Sequence, residues 1–251
     1  MKIKRSHLLG VSLAALACCS GNVFAQATLL TWWKLDESSG TTANDDSAYG
    51  NNGTLQNMDG SEWTTGQVDN GLNLDGAEDY IDTGIASNLA NTITMMAWFN
   101  SDDAGSIGDN YVAQRFLSQR DASNSSRLAL GINLDRVAVF WDDGGLNTQG
   151  GTTTLVAGDW YHAAVTYDGT TVRLYLNGIE EGNWAEASMS TPTTDTFMIG
   201  ANFAATRLFN GVLDDARLYS RALCAAEVAA IHAQGAGGVR IVSWREVDPY
   251  P

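Results

Sequence analysis

Cysteine, proline, histidine and positive charge are all scarce in this chain of 251 residues, and each shortage removes a class of explanation. Of the 3 cysteines, Cys18 and Cys19 fall in a leader-like N-terminus, so Cys224 is left alone and no intrachain disulfide can form. Of the 3 histidines only His162 and His232 lie beyond that leader, too few for a conventional three-histidine zinc centre. The 14 basic residues face 29 acidic ones, a net charge of -15 that repels nucleic acid and anionic membranes. Beyond the leader, no run approaches the ~18 to 20 apolar residues a membrane helix needs. Proline is nearly absent before the C-terminal tail, while 26 glycines, with Asn, Asp and Ser, fill the gaps between short apolar runs.

What is present at the N-terminus reads as an address. Lys2, Lys4 and Arg5 precede an apolar run from Leu8 to Ala17 and the small-x-small triplet Val23-Phe24-Ala25. This pattern predicts a secretory signal peptide over residues 1–25, with a lipid-modified Cys18 or Cys19 as the alternative. Export to the periplasm or the extracellular space follows as an expectation. Removing residues 1–25 takes away three basic side chains and no acidic one, so the remainder carries about -18, with Lys34 its only lysine.

The rest of the chain is written in strands. From Trp160 to Gly178, Ala163, Val165 and Tyr167 alternate with His162, Ala164 and Thr166, and Val172, Leu174 and Leu176 alternate with Arg173, Tyr175 and Asn177. Period-two alternation around Asp168-Gly169 predicts a β-hairpin with one buried face, closed by a tight turn with positive φ. Similar short runs occur at 28–35, 71–74, 80–83, 92–100, 112–119, 127–133, 136–141, 152–156, 196–200 and 211–219. One amphipathic helix is expected from about Ala222 to Ala233, with Cys224 packed as a small residue. The expectation is an all-β, two-sheet antiparallel sandwich over residues 26–234, with 235–251 as a tail of unassigned role or an added edge strand.

The string Trp160-x-His162-x-Ala164-x-x-Tyr167-Asp168-Gly169, followed by Leu174-Tyr175-x-Asn177-Gly178, resembles the central hairpin of the laminin G-like jelly rolls. These belong to the concanavalin A-like lectin/glucanase superfamily. Trp33 to Gly40, Asp46 to Gly53, Leu72 to Ile81, Ile93 to Phe99 and Phe209 to Leu223 follow in the family's order. The resemblance implies a jelly-roll sandwich and a choice among lectin, adhesion module, calcium-dependent binder and glycosidase. The glucanases of this superfamily carry E-x-D-x-x-E on one strand face, where alternate carboxylates can flank a glycosidic bond. That string is missing, and Glu180, Glu181 and Glu186 do not reproduce its spacing. A non-catalytic carbohydrate-binding module is therefore the leading expectation, with a protein-binding adhesion sandwich and a glycan-active enzyme of unrecognised site as alternatives.

Two residue sets are candidates for chemistry. Acidic pairs at 45–46, 102–103, 142–143 and 214–215 lie in or beside turns, where hard oxygen ligands suit calcium. Asp46 and Asp214 fall on landmarks of the resemblance, so a structural calcium ion held by Asp46, Asn51, Asn52 and Asp214 is expected. Sugar rings stack their apolar faces on aromatic side chains while their hydroxyls meet amides and carboxylates. Trp33, Trp98 and Trp160 fit core positions, whereas Trp141, Asp143, Asn147 and Trp184 are expected to form a loop-rimmed surface for a glycan or cell-surface polysaccharide.

Overall fold

The computed structural model describes residues 29–86, 92–104, 113–120, 126–187, 189, 196–202 and 206–237. The expected signal peptide, the Cys18 and Cys19 positions and all of the tail beyond Gly237 lie outside these residues. Among those described, sixteen strands form two eight-stranded antiparallel sheets. The first sheet runs β14 (Ile179–Ala185), β13 (Thr171–Leu176), β12 (Trp160–Tyr167), β7 (Ile93–Ser101), β16 (Asn210–Tyr219), β5 (Asn70–Asp75) and β4 (Trp63–Thr65). The short strand β1 (Leu29–Trp33) also pairs with β16. In the second sheet the order is β11 (Leu146–Gly150), β10 (Arg136–Asp142), β9 (Ser126–Asn133), β8 (Gln114–Arg120), β15 (Thr196–Ile199), β6 (Tyr80–Ala86), β3 (Gly53–Gln56) and β2 (Thr42–Ala43).

Alternation decides which side chains meet between the sheets. Leu128, Leu130 and Ile132 of β9 and Val137, Val139 and Trp141 of β10 point inward against Ala163, Val165, Leu174 and Leu213 of the first sheet. At the centre, Phe99 stacks on Phe116 at 4.3 Å, and Phe209 meets Phe116 edge-on at 4.9 Å. Such fully buried aromatic and aliphatic side chains contribute about 1.5–3 kcal/mol each, and among the described residues Cys224 is a free thiol.

The turns differ from the sequence reading in an informative way. Tyr167 pairs with Val172, as the hairpin requires, but only Gly169 of the Asp168-Gly169 pair has a positive φ, at 95°. The Asp168 carboxylate shapes the turn instead, accepting from the Thr170 and Thr171 N–H groups at 2.9 Å each and from Arg173 at 2.6 Å. The two-residue turn with both φ values positive comes next, at Asn177 (49°) and Gly178 (78°) between β13 and β14. Residues 152–156, expected as a strand, form none, because the Glu181 carboxylate takes the Thr153 N–H and the Thr152 and Thr153 hydroxyls.

The helix α1 (Ala225–Ala236) begins and ends three residues later than expected. Arg221 ion-pairs with Glu227, and the Glu227 carboxylate also accepts from the Cys224 N–H at 2.9 Å, which fixes the helix start. The helix covers the outer face of the first sheet, where Met96, Ala164 and Tyr175 form a second cluster with Leu223 and Val228. Gly235 is needed at this contact, since a Cβ there would sit 2.4 Å from the Trp98 indole nitrogen.

Candidate functional site

The four expected calcium ligands divide between two loops. In the first, Asp46 is half exposed and ion-paired with Lys34. Its neighbour Asp45 is the organiser, accepting from the Trp32 N–H at 2.9 Å, the Ser47 hydroxyl at 2.7 Å and the Asn51 N–H at 2.8 Å. Desolvation pushes the Asp45 carboxyl up, but these hydrogen bonds outweigh it and hold it below the usual carboxylate range. Asn51 donates its amide to the Leu30 carbonyl at 2.9 Å, and the Asn52 amide oxygen accepts from the Asp45 N–H at 2.9 Å. Asp214 is fully buried on β16 and serves another loop, accepting from the Val68 N–H at 2.8 Å. The last strand is tied to the first through Asp215 instead, whose carboxylate takes the Trp32 indole N–H and pairs with Arg217 at 2.8 Å. Among the described residues no three His, Cys, Asp or Glu side chains converge as a metal-holding group.

The expected glycan-contact residues do gather at one corner, between the edge strands β11 and β14. Trp141 lies directly across from Asn147, and the Trp141 and Trp184 rings are 6.2 Å apart. Asp143 is exposed in the 142–145 turn, and the Asn147 amide donates to the Gly145 carbonyl at 3.2 Å. The expected exposure of Trp141 is corrected, however: its ring is only 3 % exposed and belongs to the core. Its place on β10 is the reason, because alternation from Val137 and Val139 points it inward, and its indole N–H donates to buried Glu186 at 2.9 Å. Trp184 is half buried against the same core. This corner presents amide and carboxylate groups with little aromatic face.

The other carboxylates and the histidines have structural surroundings. Glu181 holds Thr152 and Thr153, Glu180 accepts from Asn183 at 2.6 Å and Glu186 holds Trp141. Desolvation raises the Glu181 carboxyl, yet the threonine hydrogen bonds win and keep it below its ordinary value. His162 lies under α1, 5.2 Å from the Trp98 ring and 5.8 Å from that of His232. Burial, then repulsion from His232 and Arg217, lowers its pKa to about 3, so it is neutral at physiological pH.

The outer face of the second sheet holds a group that the sequence reading passed over. Arg115 of β8 faces Gly131 of β9, which in turn faces Ala138 of β10. In the adjacent row Ser118 faces Ala129, and Ala129 faces Phe140. Ala113, Ala129, Ala138 and Phe140 make a cluster separate from the inter-sheet core. Over it lies the Arg115 guanidinium, its carbon 3.1 Å from the Phe140 ring centroid. The close approach of β8 to β9 requires Gly131, since a Cβ there would fall 1.9 Å from the Gln114 carbonyl oxygen. Arg115 is 4 % exposed and its Nη1 reaches only the Ala113 and Gln114 carbonyls, both at 3.3 Å. Among the described residues, the Arg115 Nε and the buried Ser118 hydroxyl have no hydrogen-bond partner. Farther across the face, Met198, Asp82 and Tyr80 are half buried and Thr54 is exposed, so the face opens toward β3. The signal available in the sequence was an arginine inside an alternating strand, opposite strands with Ala and Gly on one face.

Known proteins share this fold. A family model described as the concanavalin A-like lectin/glucanases superfamily matches residues 75–229. Among solved structures, domain 4 of AbnA, a GH43 extracellular arabinanase from Geobacillus stearothermophilus, in complex with arabinotriose, superposes with a TM-score of 0.64 at 17 % identity. The match covers 82 % of this chain and 98 % of that one. A Trypanosoma rangeli sialidase with the inhibitor DANA matches at 0.57 and 15 % identity, over 81 % of this chain and 32 % of the sialidase. The binding domain of botulinum neurotoxin serotype D matches at 0.58 and 13 %, over 82 % of this chain and 51 % of that one. The chain thus spans the whole of the arabinanase domain but a third of the sialidase and half of the toxin domain. No curated protein matches the chain. At these identities the likeness is one of fold.

Proposed function

Because the chain belongs to the concanavalin A-like lectin/glucanase superfamily, we propose that it is a non-catalytic binding module whose ligand is a carbohydrate. The observation that carries this reading is the fold itself, which superposes on the arabinanase domain solved with arabinotriose over 98 % of that domain. Carbohydrate recognition uses a few fixed polar groups beside apolar surface, and the corner between β11 and β14 offers exposed Asp143 with half-buried Asn147 and Trp184. Binding that rests on a few hydrogen bonds exchanged with water has an affinity on the order of 0.1 to 1 mM, about 4 to 5.5 kcal/mol. Titration calorimetry against a broad oligosaccharide panel tests this, and heat in that range without release of products is the expected result. A silent panel would hand the site to a protein partner, the adhesion reading.

Two further elements belong to the proposal. Export with cleavage after Ala25 rests on the charged, apolar and small-x-small order of the N-terminus, and N-terminal sequencing of the mature protein reads it directly. A mature chain starting at a lipidated Cys18 or Cys19 would replace it. A calcium ion in the first long loop is supported by the acidic composition and requires Asp46 to exchange Lys34 for the ion.

A further inference from the structure

Most of the described tryptophans are engaged through the indole N–H or through the ring. Trp32, Trp33, Trp63 and Trp141 donate their indole N–H to Asp215, the Asn51 carbonyl, the Gly40 carbonyl and Glu186. Trp98 and Trp184 lie against other rings. Among the described residues Trp160 has neither kind of partner, and it is partly exposed although the sequence puts it at a core position. Its strand explains the difference. Tyr161, Ala163 and Val165 of β12 face the inter-sheet core, so Trp160 points to the outer face of the first sheet.

Three further side chains lie in line with it on that face. Trp160 faces Asn100 of β7, Asn100 faces Val212 of β16, and Val212 faces Asn73 of β5. Asn73 is exposed and the other three are partly so. At the usual strand spacing the row spans about 14 Å. The helix α1 stops short of it, since His232 and Gly235 lie over Trp98, two residues before Asn100 on the same face. Polar atoms along the row are uncommitted. Asn100 gives its amide N–H to the Gly158 carbonyl at 2.7 Å, which leaves its oxygen open to solvent. Among the described residues neither the Asn73 amide nor the Trp160 N–H has a protein partner.

An indole and a valine bracketed by carboxamides match the two sides of a sugar ring, whose C–H face stacks on aromatic surface while its hydroxyls bond to amides. None of the four side chains is ionised, so a cation finds no counter-charge in the row, and the net charge of -15 repels an anion. We infer that this row is a second carbohydrate-contact surface, separate from the corner between β11 and β14, and that it takes a neutral oligosaccharide. Trp160 is its stacking platform, and Asn100 and Asn73 are its hydrogen-bonding groups. The inference rests on the carbohydrate reading above and adds to it a second place of contact and an uncharged ligand.

The test follows the indole N–H signals by NMR in the full chain carrying isotope-labelled tryptophan, each signal assigned through its bonds to the backbone. The probes are arabinotriose, xylotetraose, cellotetraose and mannotetraose, with digalacturonate as a charged control. At least one neutral sugar is expected to shift the Trp160 signal, while that of Trp98, beneath α1, stays in place. Asn73→Ala, at an exposed position, is expected to weaken the Trp160 titration several-fold, with circular dichroism confirming the fold. An unchanged titration in that variant overturns the row as the unit of binding. A shift of Trp184 with none at Trp160 overturns the second surface and leaves the carbohydrate reading in force. Tighter binding of digalacturonate at Trp160 than of every neutral sugar overturns the uncharged ligand class. No shift at either indole, together with no heat from the oligosaccharide panel, removes both readings.

Discussion

Trp141 and His162 show how much a side chain's role depends on which way its strand turns it. As a residue beside Asp142 and Asp143, Trp141 reads as a stacking platform, but on β10 it is an inward position hydrogen-bonded to Glu186. Trp141→Ala is therefore expected to destabilise the protein by about 3–5 kcal/mol in urea unfolding, through the cavity and the stranded carboxylate. A loss below about 1 kcal/mol would contradict the core assignment. His162 gives a pH signature. Its folded pKa, about 3, lies below the ordinary value of 6.5, so the unfolded chain takes up the proton first as pH falls. Its contribution is fully present above pH 6.5 and is lost progressively between 6.5 and 3. Unfolding free energies measured across that window should fall with acid in the wild type and fall less steeply in His162→Gln. Identical slopes would refute the burial argument.

At the scale of elements, the buried central strands were legible and the polar edge strands were not. In β7, β10, β12 and β16 nearly every position is buried, so their signal is an apolar run bounded by turn residues more than strict alternation. By contrast β11, Leu-Asn-Thr-Gln-Gly, and β14, Ile-Glu-Glu-Gly-Asn-Trp-Ala, lie at sheet edges with no fully buried residue, so their sequences carry no alternating signal. The run at 152–156 has strand propensity, yet a side chain from β14 satisfies its backbone, a tertiary effect invisible to local pattern. Arg115 escaped for a related reason. The residue it faces, Gly131, and the ring it covers, Phe140, lie on two other strands, and registers between strands are not written in any one of them. The helix offers a prediction at this scale. Gly235→Ala improves helix propensity but drives a methyl into Trp98, so the clash is expected to win and lower the melting temperature by a few degrees. A rise would show that α1 is not held against the sheet as described.

For the whole molecule, the question is what a strongly acidic sandwich is built to hold. Calcium provides one check on its charge. A ligand that binds only the folded state stabilises it by RT ln(1 + [L]/Kd), about 2.7 kcal/mol at a hundredfold excess over Kd. If the first loop takes the ion, melting in calcium should exceed melting in chelator, and Asp46→Ala should erase the difference. Indifference to chelator in the wild type would remove the ion from that loop. The central claim is the location of the carbohydrate site, and hydrogen exchange with and without a saturating oligosaccharide tests it most directly. The account predicts slowed exchange in the 142–147 turn and in β14, which carry Asp143, Asn147 and Trp184. Protection elsewhere with none in that turn or in β14 would contradict it.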